Sequence, residues 1–309
     1  MNTLLITHPC ALEHDMGLGH PERPDRLRAI ERALEAERFQ SLHRDRARRG
    51  TKDEIVRVHP AAYFEAIEAA APKTGLVQLD SDTTMNPGTW EATLHAAGGA
   101  CQAVDEVMTG KAANAFVAMR PPGHHAETST PMGFCFFNNV AVAARHAQKV
   151  HGAERVAIMD FDVHHGNGTQ DLMWDEGRCL FASSHQMPLY PGTGSLNERG
   201  EHENIVNAPL RAGDGGDTFR DAMMSVVLTR IEEFHPDLIL ISAGFDAHRR
   251  DPLANLNLVE ADFAWATEML MAIASRKCGG RLVSLLEGGY DLQGLSQSAA
   301  AHVAKLMEA

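Results

Sequence analysis

Cysteine is scarce in the 309-residue sequence, and the five cysteines are scattered without a Cys-x-x-Cys pair. This pattern argues against a disulfide framework and is typical of reduced thiols, so we expect a cytoplasmic protein. No apolar run approaches the roughly 20 residues of a membrane-spanning helix. The opening segment, MNTLLITHPC, lacks the basic start of a signal peptide and is predicted to form a first strand. We therefore expect no membrane partner.

Basic residues are also scarce relative to acidic ones. Lysine and arginine number 28 against 41 acidic residues, which gives a formal net charge of −13. Because phosphate recognition needs a basic face, this balance argues against nucleic acid as a partner. The one basic cluster, RDRARR at 44–49, is predicted to be a solvated helix end or loop. An acidic surface modestly favours a cationic substrate through long-range steering.

Short β-branched runs alternate with helical patterns along the chain. The strand candidates are LLIT, AFVAM, RVAIMDFDV, CLFASS, DLILISAG and RLVSLLEGG. Segments such as TWEATLHAAGGACQAVDEVM and EADFAWATEMLMAIASR lie between them. This alternation predicts an α/β fold with three layers, in which helices cover both faces of a central, mostly parallel sheet. Since no repeat or low-complexity linker divides the chain, residues 1–309 are predicted to form a single domain.

Four of the strand candidates run into polar, glycine-bearing segments: RPPGHHA, DFDVHHGNG, AGFDAHRRDP and EGGYD. Ligands bind at the carboxyl ends of strands in open α/β sheets, so these segments should converge on one crevice. Strand alternation through DFDVH would place Asp160, Asp162 and His164 on one face. Two carboxylates beside an imidazole are unfavourable without a cation between them, which predicts a metal site. Asp246, after a separate strand, is a candidate third ligand.

Other polar residues of these segments are candidates for acid–base chemistry. A metal with two anionic ligands is a poorer Lewis acid than one with three histidines, so it needs an acid–base residue and an oxyanion donor. His124 and His125 follow a rigid Pro-Pro-Gly turn, and Tyr290 follows two glycines that permit close approach of a ligand. Plainer alternatives stay open, namely a surface loop at 160–168, a helix cap at Asp246 and a packing role for Tyr290.

Seven segments, in this order along the chain, resemble the zinc-dependent histone deacetylase family: GHPERPDRLRAI, RPPGHHA, GFCFFNNVAVAA, DFDVHHGNGTQ, YPGTG, SAGFDAHRRDPL and LEGGYDL. The likeness covers nearly the whole chain and is greatest to the class II branch and its bacterial amidohydrolase relatives. It implies an arginase-like fold and hydrolysis of an acetyl-amide to acetate and a free amine. Two alternatives are an acetylpolyamine amidohydrolase and, from another class, a catalytically silent module that binds acetyl-lysine. The intact ligand set and Tyr290 argue against the silent module.

The resemblance also implies roles for individual residues. It assigns one zinc ion, or iron in its place, to Asp162, His164 and Asp246. It assigns acid–base roles and polarisation of the acetyl carbonyl to His124, His125 and Tyr290. It assigns substrate contacts to Gly133, Phe134, Tyr190 and Leu253. It assigns a potassium site to Asp160, Asp162, His164 and the pair Ser183 and Ser184. It assigns an internal acetate exit to Arg23.

The two histidines should differ in basicity. Asn167 stands where class I members of the family carry an aspartate behind the second histidine. Because an amide stabilises an imidazolium less than a carboxylate does, we expect His125 to be the less basic and to act as general base towards the attacking water. His124, backed by Asp160, should stay cationic and is a candidate proton donor to the leaving amine.

The partner is predicted to be a small molecule or an acyl-lysine peptide. Leu253 gives the stem of an acyl-lysine an apolar wall and gives a distant ammonium no partner, which favours acyl-lysine over acetylpolyamines. A homo-oligomer stays open at this point.

Overall fold

The computed structural model describes residues 2–309 and is built on one eight-stranded sheet. The strands are β1 (Thr3–Thr7), β2 (His43–Arg46), β3 (Val77–Gln78), β4 (Thr84–Met85), β5 (Asn114–Val117), β6 (Val156–Asp160), β7 (Cys179–Gln186), β8 (Ile205–Leu210), β9 (Leu238–Ala243) and β10 (Leu282–Leu286). The sheet order is β2-β1-β5-β10-β9-β6-β7-β8, and all neighbours pair in parallel. Strands β3 and β4 form a separate antiparallel pair.

Helices surround this sheet. They are α1 (Asp25–Ala33), α2 (Lys52–Ile55), α3 (Ala61–Ala70), α4 (Thr89–Met108), α5 (Asn139–His151), α6 (Asn167–Met173), α7 (Gly216–Ala222), α8 (Leu228–Phe234), α9 (Glu260–Cys278) and α10 (Leu292–Leu306). A π-helical turn, Met223–Val227, joins α7 to α8, and 3₁₀ turns lie at Pro9–Leu12 and Glu37–Phe39. Across residues 2–309, no helix is both long and apolar enough to cross a membrane.

The central strands are buried from end to end, which explains their near-continuous apolar sequences. Strands β6, β9 and β10 read VAIMD, LILISA and LVSLL, and every residue in them is buried. Parallel strands covered by helices on both faces require such sequences, because neither face meets water. The predicted α/β fold with a central parallel sheet is confirmed.

Both edge strands were missed by the sequence interpretation, for physical reasons. The segment HRDR of β2 overlaps the start of the basic cluster and is exposed throughout, so the prediction of a helix end or loop was wrong for residues 44–46, whereas residues 47–49 lie in a loop. Charged side chains on an edge strand discourage pairing with another chain. Strand β8 contains Pro209, which has no N–H to donate, and an edge position tolerates this loss.

Strand β6 ends earlier than its sequence suggests. The apolar and alternating pattern predicts a strand through Val163, but the strand stops at Asp160. Residues 161–166 form an irregular segment that leads into α6. Asp162 and His164 therefore lie on a loop, and the argument from strand alternation does not describe how they meet. The carboxyl ends of β5, β6, β9 and β10 still share one edge of the sheet, as expected for parallel strands.

Candidate active site

Asp162, His164 and Asp246 come together at this edge and are buried. Nδ1 of His164 lies 3.2 Å from Oδ1 of Asp162 and 3.0 Å from Oδ2 of Asp246. Ligands held about 2.0–2.1 Å from a tetrahedral zinc ion lie roughly 3.3 Å from one another. The spacing of these three donor atoms therefore fits a single metal ion.

Backbone N–H groups of neighbouring loops hold the two carboxylates in place. The N–H of Gly288 donates to Oδ2 of Asp162 at 2.8 Å, and the N–H of Val163 donates to Oδ1 of Asp246 at 2.8 Å. Gly244 and Gly288 have to be glycine here, because a Cβ at either position would overlap the carboxylate of Asp162. Each carboxylate keeps one oxygen directed at the histidine and uses the other for support.

The electrostatics of the cluster favour a bound cation. Burial alone would lower the pKa of His164, but the carboxylates of Asp246 and Asp162 raise it to about 10. Burial and the negative charge of Asp162 raise the pKa of Asp246 to about 7. Two anions in a water-poor site thus attract a positive charge, either a proton or a metal ion. Two carboxylate oxygens and an imidazole nitrogen are donors that zinc accepts.

His124 lies beside this cluster and faces a carboxylate. Its Nδ1 is 2.9 Å from Oδ2 of Asp160, and its Nε2 is 3.8 Å from Oδ2 of Asp162. Burial opposes a charge on the ring, but Asp160 and Asp162 outweigh it and raise the pKa of His124 well above the usual value. The two carboxylates therefore favour the cationic form of the ring.

His125 lies against His124 but faces an amide. The two ring centroids are 4.0 Å apart, and Nδ1 of His125 is 2.8 Å from Oδ1 of Asn167. Burial, together with the positive charges of His124 and His164, lowers the pKa of His125 well below the usual value. The imidazole is therefore neutral at pH 7. Its Nδ1 is engaged with Asn167, which leaves Nε2 for the cavity that the ring lines.

Tyr290 lines the same cavity and is fixed through its backbone. Oδ2 of Asp251 accepts the N–H of Tyr290 at 2.7 Å, while Oδ1 of Asp251 accepts the N–H of Leu253 at 3.0 Å. Burial and the nearby carboxylate of Asp246 raise the pKa of the tyrosine well above its usual value, although the guanidinium of Arg26 opposes them. The hydroxyl is therefore protonated and able to donate a hydrogen bond.

A cavity of about 200 Å³ connects these groups to the surface. It is lined by Asp82, His125, Gly133, Phe134, His164, Tyr190, Leu253 and Tyr290. All four residues predicted to contact substrate are thus among the lining. Gly133 and Phe134 both adopt left-handed backbone conformations, with φ of 55° and 70°. At Gly133 a Cβ would overlap the ring of His125, so the chain can pass this close only with glycine.

Asp82 is the lining residue that the sequence interpretation missed. It lies between β3 and β4, and its Oδ1 accepts the N–H of Gly133 at 3.1 Å. The hydroxyl of the adjacent Thr83 accepts the N–H of Phe134 at 3.1 Å. The only signal was the short LDSDTT stretch, whose turn residues resemble those of any surface loop. This hairpin supports the strained wall of the cavity.

The structure places Arg23 away from the site. Its side chain is 46% exposed and pairs with Asp25, so it is not beside an internal channel. The buried arginine is Arg26, three positions later, which lies 4.9 Å from the centre of the Tyr290 ring. Nε of Arg26 donates to the carbonyl of Gly289 at 2.6 Å. Arg23 precedes α1 and faces solvent, whereas Arg26 lies in the first turn of α1 and faces the interior.

Of the residues predicted to bind potassium, Asp160, Ser183 and Ser184 lie on adjacent strands, whereas Asp162 and His164 lie on the loop that follows β6. Asp160 and Ser183 are register partners on β6 and β7, and both are fully buried. Oγ of Ser183 is 2.9 Å from Nδ1 of His185. Oγ of Ser184 is buried, and among residues 2–309 it has no hydrogen-bond partner. That these residues bind a second, structural cation stays a prediction.

Taken together, the fold and site define a class of enzyme. The edge of a parallel sheet carries a donor cluster of two carboxylates and one imidazole. His164 of this cluster, His125 and Tyr290 line one cavity, and His124 lies behind His125. Amide hydrolysis needs a general base, a general acid and an oxyanion donor, and imidazole and phenol groups are side chains of the types that serve these purposes. The class is that of a hydrolase acting on amides.

Comparison with known proteins identifies the family. The Histone deacetylase domain matches residues 20–306. A protein named probable deacetylase from Archaeoglobus fulgidus is 38% identical, over 95% of this chain and 83% of its own. The histone deacetylase-like amidohydrolase of Pseudomonas aeruginosa is 41% identical, over 88% of this chain and 73% of its own. The crystal structure of the HDA15 HD domain superposes with a TM-score of 0.94 at 37% identity, covering 99% of this chain and 88% of that one.

This chain therefore belongs to the histone deacetylase family and is a hydrolytic deacetylase. The resemblance drawn from its motifs is confirmed.

Proposed function

We propose that the protein removes acetyl or related acyl groups from acylated lysine side chains or similar amides, using one zinc ion held by Asp162, His164 and Asp246. The observation that carries this proposal is the convergence of His125, His164 and Tyr290 on one cavity. When bound, zinc would act as a Lewis acid on the acyl carbonyl and would lower the pKa of a coordinated water. Iron, which accepts the same donors, is the alternative metal.

His125, His124 and Tyr290 divide the proton chemistry. His125 is neutral, and its Nε2 is free to take a proton from the attacking water. His124 is cationic and carries a proton for the leaving amine. The hydroxyl of Tyr290 is protonated and donates to the carbonyl oxygen as negative charge develops there. Opposite protonation states of two adjacent histidines thus supply base and acid at one pH.

The walls of the cavity fit an aliphatic stem. Phe134 and Leu253 are apolar, and the ring of Tyr190 stands at the opening with 39% exposure. The backbone carbonyl of Gly133 is proposed to accept from the substrate amide. A lysine side chain carrying an acyl group would bury its methylenes between these walls and would present its carbonyl to Tyr290.

An acetylpolyamine is a second candidate substrate, and Asp82 is the observation that favours it. The carboxylate of Asp82 lines the cavity, so a distant ammonium would find an anionic partner that the sequence interpretation did not anticipate. The same oxygen already accepts from Gly133, which limits what it can offer to a ligand. We therefore place acyl-lysine first.

Several further assignments are proposals of the same kind. A structural potassium ion is proposed at Asp160, Asp162, His164, Ser183 and Ser184. Arg26 is placed better than Arg23 for an acetate exit, since it is buried behind Tyr290. A single catalytic domain over residues 1–309, a cytoplasmic location, the lack of nucleic-acid and membrane partners, and a homo-oligomer stay predictions.

Elemental analysis and a substrate panel test the main proposal. The purified protein should contain one zinc or iron per chain. Values of kcat/KM are compared for an acetyl-lysine peptide, acetylspermidine and acetylputrescine. We expect the peptide to be preferred. A preference for a polyamine beyond tenfold, about 1.4 kcal/mol of differential transition-state binding, would select the second candidate. Full turnover in metal-free protein would overturn the proposal.

A further inference from the structure

The amide of Asn167 has a partner for each of its polar atoms. Its Oδ1 lies 2.8 Å from Nδ1 of His125. Its Nδ2 donates to Oε1 of Glu127 at 2.8 Å and lies 3.3 Å from Sδ of Met132. A carboxylate can only accept hydrogen bonds, so the nitrogen of the amide has to face Glu127 and the oxygen has to face His125. The orientation of the amide follows from this chemistry.

The carboxylate of Glu127 takes part in few other interactions with the described residues. Its carboxylate is half-buried, and within residues 2–309 no arginine, lysine or histidine nitrogen lies within 4 Å to form an ion pair with it. Its backbone N–H donates to the carbonyl of Thr130 at 3.1 Å, which fixes the turn that carries it. A partly buried charge without a counter-ion is costly unless it accepts hydrogen bonds. The bond from Asn167 is the one that compensates this carboxylate.

We propose that Glu127 is a positioning residue that fixes the tautomer of His125 through Asn167. The inference rests on the proposed role of His125 as general base. With the amide oxygen facing it, Nδ1 of His125 has to carry the hydrogen, so Nε2 presents a lone pair to the cavity. A flipped amide would present its NH₂ group to Nδ1 and would move the hydrogen to Nε2, where it would block proton abstraction.

The contacts from Glu127 through Asn167 also determine how strongly the protonated form of His125 is stabilised. His124 has a carboxylate at 2.9 Å, whereas His125 has one only through an intervening amide. The imidazolium that forms on His125 during the reaction is therefore stabilised by Glu127 less than it would be by a carboxylate in direct contact. This arrangement keeps the ring neutral in the resting enzyme and still orients it.

Substitutions of Glu127 and of Asn167 test the inference. Glu127→Ala should lower kcat by about tenfold to a hundredfold with little change in KM, the usual range for a partner that orients a site residue. Glu127→Gln should lose less, because its carbonyl oxygen can still accept from Asn167. Asn167→Asp should place two carboxylates side by side and lose activity through their repulsion. In the double variant Glu127→Gln/Asn167→Asp the repulsion is gone, so we expect at least about tenfold recovery over Asn167→Asp alone.

Nitrogen NMR of the His125 ring gives a readout that does not depend on turnover. The wild-type protein should show the tautomer with hydrogen on Nδ1, and Glu127→Ala should show a mixture. Metal content is measured alongside and should be equal. Thr128→Ala is the matched control, since Thr128 ties the same loop to Asp171 through bonds of 2.9 and 2.6 Å without touching Asn167. The tautomer of His125 in Thr128→Ala should be that of the wild type.

The outcomes separate this inference from the proposal on which it rests. If His125→Ala keeps wild-type turnover, the role of His125 as base is wrong. If His125→Ala is inactive while Glu127→Ala keeps the wild-type rate and tautomer, only the role of Glu127 is wrong. Equal losses in Glu127→Ala and Thr128→Ala would reduce Glu127 to a support of the loop. Lack of recovery in the double variant would also overturn the inference.

Discussion

The inner end and the walls of the cavity are built by different means. At the inner end, Asp162 accepts a hydrogen bond from the N–H of Gly288, and Nδ1 of His125 bonds to Oδ1 of Asn167. The walls consist of Phe134, Tyr190 and Leu253. Hydrogen bonds hold the backbone of Phe134 and Leu253, but their apolar side chains make none. Chemistry at the inner end therefore depends on single contacts, whereas selectivity at the walls depends on shape and local charge. Substitutions should affect the two regions by very different factors.

The largest effect is expected at the metal cluster. Asp162→Ala removes a donor and releases the N–H of Gly288, so metal should be lost and hydrolysis abolished. Elemental analysis and turnover measure both effects. Asp175→Ala, at an exposed aspartate that pairs with His202, controls for the loss of a surface acid. A variant with full metal content and activity would remove Asp162 from the ligand set.

The next effect is expected at the oxyanion donor. Tyr290→Phe should lower kcat by about 10²–10³ and change KM far less, because the hydrogen bond strengthens as the carbonyl oxygen gains charge. Tyr63→Phe is a matched control, since its buried hydroxyl donates to the carbonyl of Phe136 at 2.6 Å away from the cavity. The control should lose about 1–3 kcal/mol of stability and keep its turnover. A change under about fivefold in Tyr290→Phe, with chemistry rate-limiting, would exclude the tyrosine from the mechanism.

A smaller effect, seen mainly in pH dependence, is expected at the cationic histidine. Asp160 raises the pKa of His124, so the acid form persists until pH rises through a value above 6.5. The pKa of His125 is lowered, so the base form persists until pH falls through a value below 6.5.

Asp160→Asn should therefore move the alkaline limb of the kcat/KM profile to lower pH. Asp105→Asn removes the carboxylate from another histidine pair, His146 and His151, and should move neither limb. An alkaline limb that stays in place in Asp160→Asn would show that His124 is not the acid.

The smallest effect is expected at the walls. Leu253→Glu should shift the ratio of kcat/KM values towards acetylpolyamines by about tenfold, because a carboxylate offers the distant ammonium a partner. Leu196→Glu adds the same charge at an exposed leucine outside the cavity lining and should leave the ratio unchanged. If the two variants behave alike, overall charge governs the preference and Leu253 is not the selector.

The same division explains what the sequence could predict. The polar residues at the inner end lie in short motifs after apolar strands, so DFDVHHGNG and RPPGHH identify them directly. Asp82 belongs to a hairpin with ordinary turn residues, and only the fold brings it to Gly133. Arg23 and Arg26 lie three residues apart, and the sequence motif does not show that only the second of them is buried.

The edge strands were hidden for a related reason. An exposed edge places no demand for apolar residues on its sequence, so neither the charged segment of β2 nor the proline of β8 reads as a strand.

The order of the strands in the sheet affects when the fold can be completed during synthesis. β10 is the last strand of the chain, yet it lies in the middle of the sheet between β5 and β9. The support that Gly288 gives to Asp162 likewise joins residues 126 positions apart. A growing chain cannot close its sheet until β10 has left the ribosome, and until then the edges of β5 and β9 lie open to wrong pairings. The backbone support of Asp162 is therefore complete only after β10 and Gly288 have been synthesised.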